Sequence, residues 1–112
     1  MNPELEAKIH SAAPLLWREE TCIECRDGWF DLLMDLSTAL EALGEDIEVV
    51  QVKEKYGTLR FYINGGTAKA DELISAAEAR SSVTCDICGA EGTLDTSRHW
   101  RSTRCEKHQG VI

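Results

Sequence analysis

CDICGAEGTLDTSRHWRSTRCEKH, residues 85–108, contains two pairs of potential metal ligands, Cys85-x-x-Cys88 and Cys105-x-x-His108, separated by sixteen residues. Two donors three positions apart on a tight turn can face the same ion, and two such turns together form the tetrahedral shell that Zn²⁺ prefers. Gly89 follows the first pair, where the backbone commonly turns with positive φ. Because four protein ligands fill the shell, the spacing predicts a closed, structural zinc site. The alternative is buried, unligated cysteines beside a surface histidine.

The residues between the two pairs favour a zinc ribbon. Residues 93–95 and 100–103 are predicted strands, and no HxxxH helix of a C₂H₂ finger follows them. His99 is a rival ligand, but its spacing from Cys105 does not form a second ligand turn. Positive charge and one aromatic concentrate here, in a patch of Arg98, Trp100, Arg101 and Arg104 together with His99 and Lys107. This patch could contact phosphate or an acidic partner, or fold back on the acidic N-terminal part.

Upstream of the ribbon, hydrophobic periodicity predicts two helices, a β-hairpin and a third helix. The first helix spans residues 3–17, with Asn2 as its N-cap and Pro14 ending or kinking it near Ala13. The second spans 28–43 with Asp27 as its cap, the hairpin spans 47–63, and the third helix spans about 67–81. The fold class is therefore predicted to be α+β. Residues 1–82 form the helix–helix–hairpin–helix domain, and residues 83–112 form the zinc ribbon.

The hairpin carries its own candidate binding residues, namely Lys53, Lys55, Tyr56 and Arg60. Basic residues interleaved with aromatic ones occur on surfaces that bind nucleic acid. The alternative is that these charges form the solvated face of a half-buried sheet. Gly57 supplies the positive φ that a hairpin turn needs.

Cys22-x-x-Cys25 lies in a turn-rich connection and admits three interpretations. The two cysteines could be unligated thiols, a redox or disulfide pair, or ligands of a Cys₄ site with Cys85 and Cys88. The last would leave Cys105 and His108 redundant. We favour the local site, because it closes a shorter loop and uses every ligand.

Charge is distributed unevenly along the 112 residues, whose net charge is −8. Residues 1–80 contain sixteen acids and eight bases, whereas residues 81–112 contain four of each. This balance argues against broad binding of a phosphate backbone by the N-terminal part. It favours solubility, an acidic face that docks on a basic protein, or imitation of nucleic acid.

The remaining composition indicates a cytoplasmic protein. Five cysteines, four of them in C-x-x-C pairs, fit metal binding in a reducing compartment better than a secreted disulfide framework. We expect no secretory signal and no membrane span, because no basic segment precedes an apolar run and no apolar run is long enough.

Several segments together resemble small proteins encoded by tailed bacteriophages and prophages. They are ECRDGWFDLL (24–33), VQVKEKYGTLRFYINGG (50–66), EARS (78–81) and TCDICGAEG (84–92), followed by Trp100 and CEKH (105–108). The resemblance runs from about Cys25 to His108 and leaves Cys22 outside. It implies a zinc-binding phage protein of helix–hairpin–helix–ribbon layout, expressed in the host cytoplasm, and it supplies no activity.

Three functions follow as hypotheses. The first is a non-catalytic, zinc-stabilised accessory protein that binds and modulates a host protein complex, for example a defence or transcription machine. The second is a nucleic-acid-binding regulator that uses the ribbon patch and the hairpin bases. The third is an enzyme, for which we predict no catalytic residue. Asp27, Asp31 and Asp35 recur at helical spacing, but a solvated helix face has the same pattern.

Overall fold

Three helices and a three-stranded sheet form the larger part of the chain, and a two-stranded ribbon follows them. The computed structural model describes residues 1–97 and 100–110. The helices are α1 (Pro3–Ala12), α2 (Phe30–Ala42) and α3 (Ala68–Ser81); the strands are β1 (Ile23–Glu24), β2 (Ile47–Lys55), β3 (Thr58–Gly65), β4 (Thr93–Asp95) and β5 (Ser102–Arg104). The predicted α+β class is confirmed. No helix within the described ranges is long and apolar enough to cross a membrane.

The larger sheet has the order β1-β2-β3. β2 and β3 form the predicted antiparallel hairpin, and its turn residues Tyr56 and Gly57 have φ values of 55° and 87°. Positive φ at both central residues defines a type I′ turn, whose twist matches that of the strands. β1 pairs in parallel with β2 through Ile23 and Val52. The sequence analysis missed this strand, because two residues are too few to show a period.

The helix ends follow local chemistry. The Asn2 side chain accepts the backbone N–H of Glu4 at 2.8 Å, as a predicted N-cap should. α1 ends at Ala12, two residues before Pro14, so the predicted limit of residue 17 is too long. A 3₁₀ turn, Asp27–Trp29, precedes α2. The Asp27 carboxylate accepts the N–H of Asn2 at 2.8 Å, so its predicted role as the cap of α2 is wrong.

One apolar core lies between the helices and one face of the sheet. Its members share near-complete burial and run from Ile9 to Ala77, so none of them belongs to the ribbon. Trp17 occupies the centre, where its ring meets Phe61 edge-on at 5.9 Å between centroids. Its indole N–H donates to the buried Ser37 hydroxyl at 3.0 Å, so the polar group of this large side chain is satisfied.

Helix α3 covers the outer edge of β3. The backbone N–H of Leu59 donates to Ser81 Oγ at 2.9 Å, and that of Phe61 donates to Glu78 Oε2 at 3.3 Å. Edge strands present unpaired N–H groups to which other chains can add. Two side chains of α3 therefore accept hydrogen bonds from this edge and occupy two of its N–H groups.

Candidate metal centre

The structure brings together all four predicted metal ligands. One ligand atom from each of Cys85, Cys88, Cys105 and His108 lies within 4.8 Å of every other. Cys88 Sγ and Cys105 Sγ are 3.7 Å apart, and His108 Nδ1 is 3.2 Å from Cys105 Sγ and 3.6 Å from Cys85 Sγ. A tetrahedral zinc ion, with bonds of about 2.3 Å to sulfur and 2.0 Å to nitrogen, separates two sulfurs by about 3.8 Å and sulfur from nitrogen by about 3.5 Å. The cluster therefore has the size of a tetrahedral metal shell.

Each ligand pair lies on a tight backbone turn. Gly89 adopts a φ of 82° and donates its N–H to Cys85 O at 2.9 Å, which closes the first turn. His108 ends a 3₁₀ turn and donates its N–H to Cys105 O at 3.0 Å. The hairpin of β4 and β5 joins the two turns. Since these turns orient the side chains, local backbone geometry arranges the donors.

The thiols of the first pair titrate differently. Burial raises the pKa of Cys85. Hydrogen bonds from the backbone N–H groups of residues 105, 88 and 87 and from the His108 ring outweigh burial and lower this pKa to about 6. For Cys88, the backbone N–H of Ala90 lowers the pKa, whereas desolvation and the two neighbouring thiols raise it, and the net shift is upward. Thiolate is the metal-binding form. The backbone around Cys85 therefore favours the form that a metal requires.

Cys22 and Cys25 do not belong to this cluster. Cys22 is exposed, whereas Cys25 is buried, and both are free. Burial raises the pKa of the Cys25 thiol to about 12. Among the three interpretations of this pair, the structure favours unligated thiols.

The turn that carries Cys85 and Cys88 packs directly against the part of the chain that precedes it. The N–H of Gly28 donates to Asp86 O at 2.9 Å, and the Trp29 indole N–H donates to Thr84 O at 2.9 Å. On the far side, the buried Thr103 hydroxyl donates to Gly57 O at 2.7 Å. We call these three contacts the seam. They join residues 46 to 58 positions apart in the chain, and sequence periodicity carried no sign of them.

Arg104 and Asp86 form a buried ion pair beside the metal ligands. Arg104 Nε lies 2.9 Å from Asp86 Oδ1, and the two side chains are 4% and 7% exposed. Arg104, named with the ribbon patch as a candidate binding residue, is therefore buried against Asp86. Sequence reasoning missed Asp86 as its partner, because a buried cation and a surface cation have the same sequence signature in a short strand.

The other candidate binding residues reach the surface to different degrees. Lys55, Tyr56, Trp100 and Arg101 are exposed, and Lys53 and Arg60 are half-buried. Arg98 lies outside the described residues, as does the rival ligand His99. A Cβ atom on Gly57 would lie 3.2 Å from the carbonyl carbon of Arg101, so the ribbon meets the hairpin at its turn. The two predicted patches are therefore neighbours.

Comparisons of the chain with protein-family models, with curated proteins and with solved structures found no match.

Proposed function

We propose that the cluster binds zinc as a permanent structural ion. Three thiolates and an imidazole suit Zn²⁺, and hard cations such as Ca²⁺ and Mg²⁺ prefer oxygen ligands. The separations of 3.2 to 3.7 Å between ligand atoms support a tetrahedral shell of this size. When bound, zinc would hold the two ends of the ribbon together, and its binding energy would contribute to folding.

We infer further that the zinc has no catalytic role. Catalytic zinc sites use three protein ligands and keep the fourth position for water or substrate. Here four protein donors lie within 4.8 Å of one another, enough to fill a tetrahedral shell, and this clustering is the observation that supports the proposal. Hydrogen bonds behind the ligands also support rigidity, because Asp86, between Cys85 and Cys88, donates its N–H to Thr103 O and accepts the N–H of Gly28.

The activity that we propose for the zinc-stabilised chain is binding of a host protein complex by a phage-type accessory protein. Three of its acids have partners within the chain, since Glu41, Glu45 and Glu78 accept hydrogen bonds from backbone N–H groups. Other carboxylates lie exposed on the helices, namely Glu4, Asp31, Asp71 and Glu72. These exposed acids, together with the resemblance to phage proteins, support a basic protein surface as the partner.

Elemental analysis tests the metal proposal first. We expect one zinc per chain, retained when Cys22 and Cys25 are both replaced by serine and lost in Cys88→Ser. Loss of zinc in the Cys22/Cys25 variant, or retention in Cys88→Ser, would contradict the assigned ligand set.

Capture of host proteins by the zinc-loaded chain tests the binding proposal. The Asp71→Lys/Glu72→Lys variant should lose a partner that the wild type and a Lys8→Gln/Lys69→Gln control both retain. Both variants carry two exposed changes on helices, so a folding defect would not separate one from the other. Absence of any stoichiometric partner would count against a host protein target.

A further inference from the structure

The outer face of the β2–β3 hairpin is basic and aromatic. Val52, Leu59 and Phe61 point into the core, so their alternating neighbours Lys53, Arg60 and Tyr62 point the other way. Lys55 continues the row on β2 and is exposed. We call Lys53, Lys55, Arg60 and Tyr62, with Tyr56 at the turn, the open sheet face.

The strand register places three cations and one acid, Glu24, on this face. Lys53 lies directly opposite Arg60 in the strand register, and like charges opposite each other oppose strand pairing. None of the three cations forms an ion pair with a described residue. The nearest acid in the register is Glu24, which pairs with Lys53 on the parallel side. An external anion would relieve the repulsion that remains.

Tyr56 is an exposed aromatic in an unfavourable conformation. Its φ of 55° places it in the left-handed region, which asparagine, aspartate and glycine tolerate better in type I′ turns. The side chain is 63% exposed, and the Lys55 ammonium lies 5.4 Å from its ring centroid. Backbone strain of this kind clusters at functional sites. Packing in the core does not account for the tyrosine, and its exposed ring is accessible to a ligand.

The ribbon extends this surface beyond the hairpin turn. Gly57 meets β5 so closely that an added Cβ would lie 3.1 Å from Ser102 N. The exposed Arg101 precedes that residue, and Trp100 is 68% exposed. Basic and aromatic side chains therefore continue from the sheet onto the ribbon.

We propose that the open sheet face binds single-stranded nucleic acid, with Lys53, Lys55 and Arg60 on phosphates and Tyr56 and Tyr62 stacked on bases. Aromatic platforms beside a positive track are the general means of holding single strands, because every base has a π face. In a duplex the bases are already stacked and the rings would have no partner. Tyrosines also occur in protein interfaces, so an acidic protein is the competing occupant that the host-protein outcome of the test detects. This inference goes beyond the proposed protein partner and does not depend on it.

The overall charge of −8 does not oppose this assignment. The exposed acids named above lie on α1, α2 and α3, which pack on the core side of the sheet. Glu48, which alternates onto the outer side of β2, is paired with Arg18 at 3.4 Å. The acids of the helices therefore lie away from the open sheet face, and the exposed acid in register with it is Glu24 of β1.

Fluorescence anisotropy with fluorescein-labelled dT₁₂, U₁₂ and a 12-base-pair DNA duplex tests the proposal. With zinc-loaded protein in about 50 mM salt, we expect both single strands to bind and the duplex to bind more weakly. Three phosphate contacts predict a slope of log K against log salt of about −2. Lys53→Gln/Arg60→Gln should reduce that slope to about −0.7 and weaken binding about 10-fold or more.

Two variants serve as controls. Lys8→Gln/Lys69→Gln removes the same charge from exposed positions on the helices and should bind as the wild type does. Tyr56→Asn should raise the midpoint of urea unfolding, since asparagine tolerates the positive φ, while it weakens binding about 5- to 100-fold through lost stacking. If Tyr56→Asn is more stable than the wild type and binds more weakly, a folding defect cannot be the cause of the lost affinity.

Four results would overturn the proposal. They are no anisotropy change for either single strand in low salt, equal loss of binding in the helix control, tighter binding of the duplex, and unchanged affinity in Tyr56→Asn. If the face variants lose a captured host protein but the wild type binds no oligonucleotide, the face is a protein interface and the nucleic-acid assignment is wrong. Differential affinity of dT₁₂ and U₁₂ would show whether DNA or RNA is preferred.

Discussion

Replacement of Gly28 by alanine tests whether the ribbon and the N-terminal domain form one structural unit. A Cβ atom at this position would lie 2.3 Å from Cys85 O and 2.5 Å from the carbonyl carbon of Asp86. Both neighbours are backbone atoms next to metal ligands, so no flexible side chain can move aside. The backbone of Gly28 does not need positive φ, and alanine is therefore acceptable there apart from this contact.

The expected effect follows from two opposing contributions. Without a clash, glycine to alanine at a compatible position stabilises a protein by about 0.4–1 kcal/mol. With the clash, the seam must open, which removes the Gly28–Asp86 and Trp29–Thr84 hydrogen bonds at about 1 kcal/mol each and adds about 1–3 kcal/mol of overpacking. We therefore expect Gly28→Ala to lower the free energy of unfolding by about 2–4 kcal/mol when zinc is bound.

Urea unfolding followed by circular dichroism of the helices measures this effect in two backgrounds. In Cys88→Ser, where the ribbon should lose zinc and undock, the penalty should vanish and alanine should be neutral or stabilising. The difference between backgrounds, about 3 kcal/mol, is the coupling between metal site and seam. A stabilising effect in the zinc-loaded protein, or an equal loss in both backgrounds, would refute the contact geometry.

Three further predictions concern single groups. Ser81→Ala should cost about 1–3 kcal/mol, because it leaves the buried N–H of Leu59 without its acceptor. Ser82→Ala, at the C-cap that follows α3, should be nearly neutral in the same unfolding assay. Iodoacetamide at pH 8, mapped by mass spectrometry, should label Cys22 and spare Cys25. A pKa of about 12 leaves a thiolate fraction of about 10⁻⁴ at that pH, so Cys25 should become reactive only as pH rises towards 12, and equal labelling would contradict its burial. Asp86→Ala should lower the free energy of unfolding by about 3–5 kcal/mol, because it leaves Arg104 buried and unpaired. Asp86→Leu/Arg104→Met should recover much of that loss. If the double variant is no more stable than Asp86→Ala, the ion pair is not the cause.

Features set by nearby residues could be predicted from the sequence. The Cys85–His108 ligand set follows from spacing alone, because a turn of four residues determines where two neighbouring donors point. The hairpin follows from alternation between Ile47 and Ile63, and Gly57 marks its turn. The cap at Asn2 and the end of α1 before Pro14 are also local. In each case the deciding interaction spans only a few residues.

Features that depend on residues far apart in the chain could not be predicted from the sequence. Glu24 and Ile23 form a strand only because β2 lies beside them. Gly28 looks like a helix-start glycine, and only the approach of Asp86 shows why a side chain is excluded. Arg104 sits among surface cations in the sequence, and its burial depends on a carboxylate eighteen positions away. Long-range packing assigns these roles, and a single sequence has no period that reports it.

The seam links the candidate metal site to the hairpin turn. Tyr56 disfavours its left-handed conformation by about 1–2 kcal/mol, so the turn needs support from elsewhere. That support comes from the ribbon, because Gly57 O accepts the Thr103 hydroxyl, and β5 packs where a side chain on Gly57 would lie. Thr103 in turn lies two residues before the ligand Cys105 and bonds through its carbonyl to the N–H of Asp86, beside the ligand Cys85. A zinc ion that orders both ligand turns would therefore also stabilise the strained turn that presents Tyr56, which joins the structural role of the metal to the surface proposed for binding.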